Sequence, residues 1–220
     1  MIGDSTMAPK SEEQRPKTGW GEVLSDYFSD NVRILNYAKN GRSTKSFIDE
    51  GRWQLVLDSL NRGDYLIIQF GHNDQKSDKP ILYASPDEYE TNLKMFIDES
   101  SRKGAIPILM SPVVRRRFDA QGSFFDTHGK YSSTTREIAN TWNVLFVDMH
   151  LKSLEMIVQK GPEISKDFFL WLQPGESENY PEGVEDNTHF SPFGARKMAC
   201  LAVEGIADLD TELNRYLNTE

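Results

Sequence analysis

The apolar positions of the chain alternate between helical and extended periods. Residues 20–28 carry Trp20, Val23, Leu24, Tyr27 and Phe28 at helical spacing, and residues 31–38 then alternate around Val32, Ile34 and Leu35 as a strand does. Ser43 opens a short helical stretch. Trp53, Leu55, Val56, Leu57 and Leu60 continue helical burial until Asn61-Arg62-Gly63 ends it. Residues 64–70, Asp-Tyr-Leu-Ile-Ile-Gln-Phe, form the most apolar extended run, which predicts a strand buried on both faces in the middle of a parallel sheet. Ser85-Pro86-Asp87-Glu88 has the signature of a helix start: a capping serine, proline in the first turn and acids beside it. That helix is predicted to reach about Lys103 and stop at Gly104. A strand over 105–110, a helix over 131–142, a strand over 144–147 and a helix over 150–159 follow. This alternation predicts a parallel sheet with helices on both faces, in which sites form beyond the carboxyl ends of the strands.

Residues 161–188 break the rhythm. Phe168, Phe169, Trp171, Pro174, Gly175, Tyr180 and Pro181 fall there with little period, as expected of an excursion over one rim. Ser191 and Pro192 then start a last helix, with Phe193, Ala195, Met198, Leu201, Ala202, Gly205 and Ile206 close to a helical stripe. The 220 residues are expected to form a single domain over 1–220. Only Met1 and Ile2 precede the first motif, where an open sheet usually supplies a longer strand, so the first strand is expected to be truncated or vestigial.

Hydrophobic residues make up 38% of the chain and charged residues 27%, a balance that favours a packed globule over a disordered segment. No stretch approaches the ~18 apolar residues of a membrane span. A formal net charge of −9 argues against nucleic acid and anionic membranes as partners, since both are bound largely through Lys and Arg. Cys200 is the one cysteine, so no internal disulfide can form; its apolar helical setting predicts a buried small hydrophobe. The compartment stays open. Secretion or a periplasmic location is expected if a signal peptide has been removed, and a cytoplasmic location otherwise.

Chemistry concentrates in four short blocks. Gly3-Asp4-Ser5-Thr6 and Asp186-Asn187-Thr188-His189 place a serine and an Asp/His pair near opposite ends of the chain, with Gly71-His72-Asn73-Asp74 between them. A serine hydroxyl needs an imidazole to take its proton, a carboxylate to orient that imidazole, and donors to hold the oxyanion. Ser5, His189 and Asp186 are candidates for the first three parts, and the Asn73 side chain for the last. Asn40-Gly41-Arg42-Ser43 follows the strand expected near residue 38. A glycine there lets a backbone N–H approach an oxyanion, although the same residues also read as a turn and helix cap. Asp4 suits local bonds to backbone N–H groups. The G-x-S-x-G elbow is absent, which excludes the α/β-hydrolase pattern.

Other residues keep two readings. Asp186 and His189, immediately before a helix, fit one short loop, or else a helix cap beside an exposed histidine. His72, His128 and His150 read as structural or substrate-facing. No H-x-x-x-H or H-E-x-x-H spacing supports a metal, and acyl transfer by serine requires no cofactor. Arg115, Arg116 and Arg117 are either solvated surface or a site for a carboxylate or sugar diol. Trp171 and Tyr180 either stack on sugars or cover a core edge.

These blocks resemble the SGNH (GDSL-like) hydrolase superfamily, and more narrowly the rhamnogalacturonan acetylesterase group of carbohydrate esterases. The similarity rests on Gly3-Asp4-Ser5-Thr6-Met7-Ala8, Gly19-Trp20-Gly21, the segment from Asn40 to Phe47, Gly71-His72-Asn73-Asp74, and Asp186-Asn187-Thr188-His189-Phe190, in the family's order. It implies a three-layer α/β/α flavodoxin-like fold with a central parallel sheet. It further implies Ser5 as nucleophile, His189 as base and acid, Asp186 as orienting acid, and an oxyanion hole of the Ser5 and Gly41 N–H groups with the Asn73 side chain. Threonine stands where the commonest superfamily motif has leucine, which points away from lipases. The activity implied is removal of O-acetyl groups from pectic polysaccharide, with His72, Arg115, Arg116, Arg117 and Trp171 as candidate substrate contacts. An SGNH esterase or lipase for other small acyl esters is the nearest alternative, and a non-catalytic carbohydrate-binding protein on the same fold is the alternative of another class.

Overall fold

The apolar run at 64–70 becomes β2 (Tyr65–Gln69), the strand around which the sheet is built. The computed structural model describes residues 1–218. Its internal contacts group into two compact units. The first comprises Met1–Asp4, Tyr37–Pro112 and His128–Asp148, and the second Ser5–Asn36, Val113–Thr127 and the described residues from Met149 on.

The first unit holds a four-stranded parallel sheet in the order β1 (Ile2–Gly3), β2, β3 (Ile106–Met110) and β4 (Leu145–Val147). Helices α1 (Thr44–Asp49), α2 (Arg52–Ser59), α3 (Pro86–Arg102) and α4 (Lys130–Trp142) belong to the same unit. Alternation along the strands decides what each face buries. Ile2, Leu66, Ile68, Phe70 and Leu109 join Phe47, Trp53, Tyr89, Phe96 and Ile138 of the helices in one apolar cluster. Its centre is aromatic: the Phe96 ring lies 4.7 Å from that of Trp53 and 5.9 Å from that of Phe70. On the opposite face Ile67, Ile108 and Met110 are buried as well, as a continuous apolar run predicts.

Local signals set the helix ends. The Ser85 hydroxyl accepts the Glu88 N–H at 3.2 Å, with Pro86 in the first turn, and α3 ends at Arg102, before Gly104. Ser43 and Ser46 cap α1 reciprocally.

Residues 31–38 do not form a regular strand. β1 spans two residues, and beside it Tyr37 and Lys39 donate to the Met1 and Gly3 carbonyls at 2.9 and 3.0 Å. This pairing still has a consequence. β1 is flanked by the segment 37–39 on one side and by β2 on the other, so chain order along the sheet reverses at β1. Ser5 lies two residues past the carboxyl end of β1.

The second unit contains α5 (Met149–Ile164), a hairpin of β5 (Phe169–Leu172) and β6 (Val184–Phe190), and α6 (Pro192–Ala207). Two sequence expectations change here. Residues 20–28 form two 3₁₀ turns, Trp20–Glu22 and Leu24–Tyr27, in place of one helix, consistent with the poor helix propensity of Gly21 and Val23. The aperiodic stretch 161–188 contains an antiparallel hairpin in which only β5 is apolar. Cys200 is half-buried, with its Sγ 3.4 Å from a Glu204 carboxylate oxygen.

Candidate active site

Two backbone contacts and one side-chain bond bring the start of the chain to its far end within the second unit. The Trp20 N–H donates to the Thr6 carbonyl at 2.9 Å, and the Thr18 N–H to the Phe190 carbonyl at 3.1 Å. Asn36 Nδ2 adds a bond to the Met7 carbonyl at 3.0 Å. Gly19 makes the approach possible, since a Cβ there would lie 2.1 Å from the Ala8 carbonyl oxygen.

Through this weave Ser5 meets His189 across 184 positions of sequence: Nε2 lies 2.8 Å from the Ser5 Oγ. On the other side of the ring Nδ1 lies 2.7 Å from Asp186 Oδ2. Asp186 Oδ1 accepts the N–H groups of Thr188 and His189 at 2.8 and 3.0 Å. Nδ1–H donated to the carboxylate leaves Nε2 as the acceptor facing the serine, the tautomer a general base needs. Burial alone would raise the Asp186 carboxyl. The bond from His189, the charge of its imidazolium and the two N–H donors outweigh burial and hold the group well below the usual carboxylate range.

The structure thus brings Ser5, His189 and Asp186 together, although not on the short loop expected. Asp186 and His189 both stand on β6, where the register is broken. Two lysines that the sequence did not single out join them. The Lys10 ammonium, buried, donates to the Ser5 and Ala8 carbonyls, and Lys17 Nζ lies 3.7 Å from Asp186 Oδ2. A lysine in a polar segment carries no sequence mark of such a position.

Gly41 and Asn73 lie in the first unit. Gly41 adopts a φ of +74° in the turn before α1, a region that favours glycine. The Asn73 amide donates to the Arg42 carbonyl at 3.0 Å while its Oδ1 accepts from Lys76 at 2.6 Å, which fixes the side chain and leaves its NH₂ a second hydrogen to offer. Asp74 anchors the same loop by accepting the Thr44 N–H at 2.8 Å and the Gly71 N–H at 3.1 Å. Burial pushes its carboxyl up to about 7, against the pull of the Thr44 bonds.

The candidate substrate contacts differ in burial and in their bonds. His72 is buried, with Nδ1 3.1 Å from Asp4 Oδ2 and its ring edge-on to His128, so one partner of Asp4 is a histidine side chain. Arg116 is buried too, donating to Ser165 Oγ, Asn187 Oδ1 and the Pro162 carbonyl. Burial lowers its guanidinium from the ordinary value, opposed by the charges of Glu163 and Glu185. Trp171 donates its indole N–H to Asn187 Oδ1 at 3.0 Å. Arg115 is half-buried and bonds Thr127 Oγ1 at 3.0 Å, whereas Arg117 is exposed. His128 faces Gln75, and His150 pairs with Asp126 at 2.9 Å. Among the described residues no group of three or more His, Cys, Asp or Glu side chains could hold a metal ion.

A hydroxyl against an imidazole that is itself held by a carboxylate is the equipment of acyl transfer, and the class these features define is the serine hydrolase. Residues 1–197 match the GDSL-like Lipase/Acylhydrolase family, and the chain belongs to it. It is 42% identical to the rhamnogalacturonan acetylesterase RhgT of Bacillus subtilis (strain 168), over 99% of this chain and 92% of that one. It is 46% identical to a rhamnogalacturonan acetylesterase of Emericella nidulans, over 99% and 87%. Among solved structures it resembles YxiM of Bacillus subtilis, with a TM-score of 0.78 at 24% identity over 93% of this chain and 54% of that one. It also resembles the acetylxylan esterase Axe2 of Geobacillus stearothermophilus, with a TM-score of 0.65 at 21% identity over 100% and 95%. The fold is accordingly the α/β/α fold of SGNH hydrolases, and the protein is a carboxylic ester hydrolase.

Proposed function

We propose that this protein removes O-acetyl groups from pectic polysaccharide, with acetylated rhamnogalacturonan as its substrate. The observation that carries the chemistry is the continuous chain of bonds from Ser5 Oγ through His189 to Asp186. The substrate class is supported by the full-length similarity to enzymes named for that activity. Ser5 attacks the acetyl carbonyl while His189 Nε2 takes its proton, and Asp186 holds the imidazolium that forms. The oxyanion donors are the N–H groups of Ser5 and Gly41 and the Asn73 amide, an assignment made from the family resemblance and from the fixed pose of Asn73. His189 then protonates the departing sugar hydroxyl, and the acyl-enzyme on Ser5 is hydrolysed by a water that His189 activates in turn. Arg117, exposed in the basic run, is the arginine best placed to meet a galacturonate carboxylate.

The test is acetate release from acetylated rhamnogalacturonan beside p-nitrophenyl acetate and p-nitrophenyl octanoate, with wild type and Ser5→Ala. Ser5-dependent release from the polysaccharide with little octanoate cleavage is expected. Turnover of aryl esters alone would keep the serine chemistry and discard the pectic substrate.

A further inference from the structure

The residues between Asp186 and Phe190 leave the strand ladder. Phe169 and Leu170 are consecutive on β5, yet they pair with Phe190 and Asp186, so the register gives Asn187, Thr188 and His189 no partner on β5. A bulge of this kind loses the ladder bonds that would otherwise fix its backbone. His189, the base, stands on it.

Other bonds take over, and they converge on Asn187. The Arg116 backbone N–H donates to the Asn187 carbonyl at 2.9 Å. The Arg116 guanidinium donates through Nη1 to Asn187 Oδ1 at 2.8 Å, and the Trp171 indole donates to the same oxygen at 3.0 Å. An amide oxygen has two lone pairs, and these two donors occupy both. The guanidinium is itself immobilised. Nε bonds Ser165 Oγ at 3.1 Å and Nη2 bonds the Pro162 carbonyl. The group also lies over the rings of Trp171 at 5.0 Å and Phe118 at 5.6 Å. Arg116 is 7% exposed, an unusual setting for a residue in a run of three arginines.

We propose that Arg116, acting through Asn187, is a positioning residue that holds the bulge of β6 so that His189 stays within bonding distance of Ser5. The proposal rests on the reading of Ser5, His189 and Asp186 as the catalytic triad. It takes the central arginine of the run away from substrate and makes Trp171 the second arm of the same clamp. The geometry matters because a displacement of about 1 Å at the reacting groups costs on the order of 10²-fold in rate.

The experiment compares Arg116→Met and Trp171→Phe with a control, Arg102→Met at an exposed arginine of α3, in the full chain, using p-nitrophenyl acetate and acetylated rhamnogalacturonan. Arg116→Met is expected to lower kcat by about 10²-fold on both substrates, with KM on the aryl ester essentially unchanged. Trp171→Phe keeps the ring beneath the guanidinium and removes one bond to Asn187, for an expected loss of about fivefold in kcat. The downfield proton NMR resonance of the His189 Nδ1–H is expected to shift in both variants and to stay in place in Arg102→Met. A raised KM confined to the polysaccharide, with aryl-ester kcat intact, would overturn the proposal in favour of substrate contact. A lowered Tm with kcat and the resonance unchanged would reduce Arg116 to a structural role. Should Arg116→Met not fold, Trp171→Phe decides by the same resonance. Wild type lacking Ser5-dependent turnover would overturn the triad and the clamp with it, whereas unaltered kcat in an active background overturns the clamp alone.

Discussion

The parallel sheet with α1–α4 and the β5–β6 hairpin are held together by different means. In the sheet unit each strand pairs in register with its neighbour, and apolar side chains at alternate positions build one cluster around Phe70 and Phe96. In the hairpin the ladder fails between Asp186 and Phe190. Asn187 is bonded by Arg116 from outside the hairpin and by Trp171 of β5, and the N–H groups of Thr188 and His189 by the carboxylate of Asp186. A regular ladder sends successive side chains to opposite faces. A three-residue bulge frees the backbone to bring the Asp186 carboxylate and the His189 imidazole to the same point, and specific polar bonds replace the ladder as the source of order.

The two regions are therefore expected to respond to substitution in opposite ways. The largest effect on rate belongs to the hairpin. Asp186→Asn should leave the fold intact yet lower kcat by about 10⁴-fold, because an amide no longer holds the Nδ1–H tautomer. A loss below about tenfold would show that the carboxylate does not orient His189. The sheet unit offers the converse. Phe96→Ala is expected to cost about 3–5 kcal/mol of stability through the cavity it leaves, while the folded fraction keeps its kcat. A large fall in kcat at full folding would erase the contrast between the two regions.

The smallest expected effect is a pH dependence of stability. The Asp186 pKa in the folded protein is depressed below the ordinary carboxylate value of about 3.9. Its contribution is thus fully present above that value and is lost as pH falls through the folded pKa. Thermal melts from pH 5 to pH 2 should decline more steeply for wild type than for Asp186→Asn. Parallel curves would show that the carboxylate gains nothing from His189 and the two N–H donors.

The same contrast explains what was legible in the sequence. β2 and α3 announce themselves because burial on both faces demands an unbroken apolar run, and because Ser85, Pro86 and Gly104 act locally on the backbone. The pairing of Ser5 with His189 and Asp186 was legible as residue types in order along the chain, since acyl transfer restricts which side chains can serve. The hairpin was not. β5 is a four-residue apolar segment, but its partner reads Val-Glu-Asp-Asn-Thr-His-Phe, a strand whose polar residues give no apolar alternation to mark a buried face. Nor did three identical arginines disclose which one turns inward. Arg115 is half-buried, Arg116 buried and Arg117 exposed, a choice made by the acceptors on Ser165, Asn187 and Pro162, far off in sequence. The two 3₁₀ turns at Trp20–Glu22 and Leu24–Tyr27 show a further limit. They bury Trp20 and Leu24 at helical spacing without a regular α-helix.

The most direct measurement is covalent labelling by an aryl phosphonate followed by intact mass and peptide mapping, on wild type and His189→Ala. A single adduct on Ser5 in wild type, with labelling slowed by several orders of magnitude in His189→Ala, is the expected result. An adduct on any other residue, or labelling of Ser5 at an equal rate without His189, would contradict an acyl-enzyme formed through that pair.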